Sequence, residues 1–128
     1  MPEENTQRET FGGATKSTWI DIVLEELNVV NRLIIQAGTS FKKENVFMLK
    51  EAIDSWEQSL KPFIVISYNQ KAIDNINKEL DDSYKKFLRN WGTDDYLDCV
   101  VLMIRKKGVL IQTLFPYLSQ FNFHLGGT

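Results

Sequence analysis

Apolar residues recur at steps of three and four over long stretches of this chain, and that spacing constrains the fold more than any other feature. Val46, Leu49, Ile53, Trp56 and Leu60 form one such series. Ile73, Ile76, Leu80, Tyr84, Phe87 and Trp91 form a second, and Leu97, Val101, Ile104, Gly108, Ile111 and Phe115 a third. A helix turns once every 3.6 residues, so each series falls along one side of a cylinder. A half-buried strand would instead alternate residue by residue.

These series predict helices over 43–60, from about 69 to 91, and from 93 to Pro116. An earlier segment, Thr18 to Ala37, also reads as a helix. Its polar residues, Asp21, Glu25, Asn28, Arg32 and Gln36, make one narrow stripe, and Trp19, Ile22, Val23, Leu27, Val30, Leu33 and Ile34 fill most of the rest. So little polar surface implies a position at the centre of the molecule, or part of a face set against a partner. Ser17 or Thr18 is suited to cap its start and Gly38 its end in the left-handed conformation. Pro62 ends the second helix or begins the next segment.

Phe63-Ile64-Val65-Ile66 has the β-branched character of a strand. No second strand exists to pair with it, so the segment reads as helical, with a break near 67–69. Asp74–Lys78, Asp81–Lys85 and Asp82–Lys86 are acid-first i,i+4 pairs that mark a solvated side of the third helix. Gly92 is its expected stop. Thr93 is the expected cap of the fourth helix, with Asp94 and Asp95 at the positive end of its dipole. Lys106-Lys107-Gly108 has the form of a helix stop, but the apolar register continues across Gly108, which favours one long helix, bent at that glycine if at all.

The predicted fold is all-α, an antiparallel four-helix bundle, or five-helix if residues 117–123 add a last turn. Residues 1–16 read as a flexible polar tail and 17–128 as a single helical-bundle domain. A chain of 128 residues with 43% hydrophobic and 25% charged content matches one ordinary soluble domain. At this size about two-thirds of the surface is buried on folding, enough for a core without staples.

Cys99 and His124 are single residues of their types. That excludes an internal disulfide and a structural zinc site with four Cys or His ligands, and fits a reducing, cytoplasmic (intracellular) compartment. The acidic start, with Glu3, Glu4 and Glu9, lacks the form of a signal peptide. The two longest apolar stretches, 20–37 and 97–115, are broken by charges, so no membrane span is expected.

Candidate chemistry is sparse. Asp94-Asp95-Tyr96-Leu97-Asp98 resembles the D-D-x-x-D motif of isoprenoid synthases, whose carboxylates hold magnesium. The resemblance covers five residues, and the second acidic motif is absent. Glu25-Glu26 and Glu51-x-x-Asp54 resemble fragments of the paired acidic motifs of the all-α nucleotide pyrophosphohydrolases, but Val29 stands where a third acid should. Gly12 to Ser17 departs from a phosphate loop, since Thr15 and Thr10 occupy the required glycine positions. Cys99 lies among apolar neighbours and reads as a small buried hydrophobe. No catalytic residue, metal ligand or cofactor is therefore assigned.

What remains is surface. Phe11, Phe41, Phe121 and Phe123 lie off the helical seams, and with His124 they are candidates for protein contact. Lys85, Lys86 and Arg89 could converge with Arg105, Lys106 and Lys107 into a nucleic-acid patch if the last two helices are antiparallel. The net charge of −2 gives this no general support. The expected function is a non-catalytic protein–protein interaction module, that is, an adaptor, assembly subunit or regulator whose partner is another protein or a second copy. The alternative is a nucleic-acid-associated small subunit of a ribonucleoprotein complex. A magnesium-dependent all-α nucleotide pyrophosphohydrolase comes third.

Overall fold

A computed structural model describes residues 16–64 and 69–116. These form four helices: α1 (Lys16–Thr39), α2 (Lys43–Leu60), α3 (Gln70–Asn90) and α4 (Thr93–Gln112). A 3₁₀ turn, Lys61–Phe63, follows α2. No strand occurs among the described residues. The bounds of α2 coincide with its apolar series, and Val46, Leu49, Ile53, Trp56 and Leu60 are all fully buried.

Contacts distant in sequence fix the topology. At one end of the bundle the Tyr96 hydroxyl of α4 donates to the Ala37 carbonyl of α1 at 2.7 Å. At the same end the Phe47 ring of α2 meets Phe87 of α3. At the other end Asn77 of α3 donates to Glu57 of α2. The helices therefore alternate up and down, as the short connections predict. α1 packs on α2 and, over a short stretch, on α4; α3 packs on α4, and α2 and α4 meet across the middle.

α1 is thus a peripheral helix. Ile20, Val23, Leu27, Val30 and Ala37 are buried, whereas Ile22 and Ile35 face outward. The central position expected from its narrow polar stripe is taken by α2 and α4. α1 holds α2 partly through the buried indole of Trp56, which donates to the Val23 carbonyl at 3.0 Å.

Two helix ends depart from the glycine rules. Gly38 remains helical and α1 runs on to Thr39, whose hydroxyl reaches back to the Ile35 carbonyl at 3.1 Å. The turn into α2 is closed by buried Asn45, which accepts from Gln36 at 2.7 Å and donates to the Ser40 carbonyl. At the end of α3 the left-handed residue is Trp91, with φ 52° and ψ 27°, and not Gly92. Gly92 is extended and serves as the N-cap of α4, where Thr93 was expected to cap.

The segment after Leu60 is not a continuation of helix. Pro62 sits in the 3₁₀ turn, Ile64 is extended, and α3 starts at Gln70. Residues 65–68 lie outside the described residues. Of the segment 63–66 read as helical, Phe63 closes the 3₁₀ turn and Ile64 is extended, and Pro62 has no N–H to continue the α2 ladder.

Candidate interaction surfaces

α4 carries two apolar faces, and the one turned inward is not the one the sequence spacing suggested. Tyr96, Cys99, Val100, Leu102, Met103 and Leu110 are buried, along with Leu114 just beyond the helix. The expected seam points to solvent instead. Leu97 is 40% exposed, Val101 53%, Ile104 42% and Phe115 55%, with Gly108 also exposed and Ile111 half-buried among them. A methyl group placed at Gly108 would meet nothing within 4 Å. An apolar band thus runs along the outside of α4, about 21 Å from Leu97 to Ile111 at helical rise, and Phe115 follows just past the helix end.

Lys106 is what makes the inner face look polar in sequence. It lies on that face and is 1% exposed. Its ammonium is 2.7 Å from Glu57 Oε1 and 2.9 Å from Asp54 Oδ1, both on α2. Asp54 also accepts from Lys50 at 2.6 Å, and Glu57 from Asn77. A buried lysine needs such partners, and α2 supplies two carboxylates at one point. Burial alone would raise the pKa of Asp54, but the hydrogen bonds and charges of Lys50 and Lys106 outweigh it and hold the carboxyl below its ordinary value.

This network also disperses the expected basic patch. Three successive residues of α4 reach toward three different helices: Arg105 to Glu79 of α3 at 3.7 Å, Lys106 to α2, and Lys107 to Asn31 of α1. Lys106 is removed from the surface. Lys85, Lys86 and Arg89 lie together on α3, but Asp82 lines the same concavity and Lys85 pairs with Asp81 at 3.1 Å.

Several aromatic residues gather at the end of the bundle formed by the α1–α2 and α3–α4 turns. Phe41, proposed for protein contact, is exposed and stacks on Tyr96 with ring centres 5.1 Å apart. Trp91 meets Phe87 at 5.2 Å and Phe47 at 6.0 Å, and the Lys43 ammonium lies 4.9 Å above its indole. Phe41, Phe87, Trp91 and Tyr96, with Lys43, Gly92 and Thr93, line a concavity of about 400 Å³. Phe11, Phe121, Phe123 and His124 lie outside the described residues.

The acidic candidates are scattered. Asp94 and Asp98 are exposed on α4, Glu25 and Glu51 are exposed on α1 and α2, and Asp54 is committed to its lysines. Among the described residues, no group of three or more His, Cys, Asp and Glu side chains is placed to hold a metal ion. Burial, with repulsion from Asp95 and Asp98, pushes the Cys99 thiol up to about 11, which keeps it protonated and a poor nucleophile. No described helix is long and apolar enough to cross a membrane.

The sequence did name the residues of the α4 band, but as core. The signal that distinguishes them is the flank: Asp98 and Arg105 border this band, whereas the true inner face carries the charge that α2 neutralises. No protein-family model, curated protein or solved structure matches this chain.

Proposed function

We propose that the chain is a non-catalytic protein–protein interaction module whose docking face is the outer side of α4. The observation that carries this reading is the exposure of Leu97, Val101 and Ile104 along one side of α4, with exposed Phe115 just past its end. Single exposed apolar residues are ordinary on a protein surface, but an aligned row flanked by charges has the make-up of an interface core with a polar rim. Completing the burial of each half-exposed side chain contributes on the order of 1 kcal/mol.

The test places a photo-crosslinking amino acid at Val101 and, as a control, at Asp82 on the outer side of α3. Irradiation in host cells is expected to give adducts larger than the monomer from position 101 and none from 82. Absence of any intermolecular adduct from 101 refutes the reading.

A further inference from the structure

We infer that the occupant of the α4 face is a second copy of the chain, docked antiparallel about a two-fold axis that passes between residues 102 and 103 of the paired helices. This rests on the reading of α4 as a docking face and adds its occupant and geometry.

The spacing 97, 101, 104, 108, 111, 115 repeats every seven residues, the period of a seam that mates two helices by knobs into holes. α4 on α4 is self-complementary in one direction. With the axis between 102 and 103, Leu97 stands opposite Gly108 of the second copy, and Val101 opposite Ile104. Gly108 is exposed and has no side chain, so it is the position of the band where a leucine from another helix can come nearest the backbone of α4.

Charge selects the same direction. Asp94, Asp98 and Arg105 lie along one flank of the band, acidic toward the start of α4 and basic further on. Asp94 and Asp98 have no ion-pair partner among the described residues, and Arg105 makes only the long, half-exposed contact to Glu79. Antiparallel docking sets Asp98 of each copy within about two residues, or 3 Å along the axis, of Arg105 of the other. Parallel docking would put the two charged flanks on opposite sides of the seam, leaving Asp98 and Arg105 of each copy away from those of the other. One helix pair buries less than a standard interface, so the association belongs in the micromolar range.

Sedimentation velocity on the full chain tests this. The wild type is expected to pass from monomer to dimer as concentration rises through roughly tens of micromolar. Asp98→Arg creates two repulsive pairs per dimer and is expected to weaken dimerisation about tenfold. The double variant Asp98→Arg, Arg105→Asp reverses both partners and is expected to recover most of that loss. Both residues are exposed, and circular dichroism checks that each variant stays folded.

A wild type that remains monomeric up to millimolar concentration overturns the proposal, as does a double variant no better than the single one. If the chain is monomeric while the Val101 crosslinker captures a different protein, the second copy is wrong and the docking face stands. An intramolecular crosslink from position 101 to residues 117–128 also overturns it, since the chain then covers its own face. No intermolecular adduct of any kind removes both readings.

Discussion

The ammonium of Lys106 lies 2.7 Å from Glu57 Oε1, so a single cation in the interior ties α4 to α2. Removing one partner of a buried pair strands the other charge and typically costs 3 to 5 kcal/mol, whereas replacing both by apolar groups of similar size is often neutral. Lys106→Met is therefore expected to lower the unfolding free energy by about 3 kcal/mol. Lys106→Met with Glu57→Leu should recover much of that, since Asp54 keeps Lys50. Urea denaturation of the two variants decides. Equal destabilisation would mean that the network acts through packing alone.

Asp54 gives the same network a pH dependence. Its carboxyl titrates below its ordinary value of 3.8 in the folded chain. A group with a depressed folded pKa adds stability above its unfolded pKa and loses it as pH falls through the folded one. Asp54→Asn should thus be less stable than wild type near neutrality, and the gap should narrow below about pH 4. Denaturation midpoints at roughly pH 6 and pH 3 measure it, and a gap that does not narrow contradicts the assignment.

Trp91 occupies the left-handed region that glycine adopts without cost, with φ at 52°. A bulky residue there is strained by roughly 1 to 2 kcal/mol. Trp91→Ala keeps most of the strain and loses the ring contacts, whereas Trp91→Gly loses both. The glycine variant is expected to be the more stable of the two by about 1 kcal/mol in thermal unfolding. The reverse order would mean that position 91 does not require the left-handed conformation.

Gly108 lies inside α4 with free space around it. Gly108→Ala should stabilise the isolated monomer by about 0.5 to 1 kcal/mol through helix propensity. The added methyl group also narrows the space assigned to Leu97 of a second copy. Chemical denaturation at low concentration should show a gain in stability, and sedimentation at high concentration should show weaker dimerisation.

Much of the fold was legible because most helices have one apolar side. In α2 the residues at steps of three and four are all interior, and in α3 Ile73, Ile76, Leu80 and Phe87 are buried. α4 was misread because Tyr96, Val100, Met103, Leu110 and Leu114 form a second apolar row beside the first. Lys106 makes that row look polar in sequence, and only the approach of Asp54 and Glu57 from another helix cancels its charge. Such neutralisation depends on contacts about fifty residues apart and has no local signature. The same lysine made Arg105-Lys106-Lys107 look like one cluster, although its members reach toward different neighbours. Trp91 was misread because the rules for helix ends assign the left-handed position to glycine, and here the glycine stands one residue later.

The mating of α4 with itself is tested most directly by disulfide trapping of a chain carrying both Leu97→Cys and Gly108→Cys. These positions are about 16 Å apart on one helix, too far to bridge within it, but opposed across the antiparallel pair. Native Cys99 is buried with its thiol pushed up to about 11, so it does not compete. Mild oxidation is expected to give a covalent dimer from the double variant and none from Leu97→Cys alone. A covalent dimer from Leu97→Cys alone, or none from the double variant, would contradict the account.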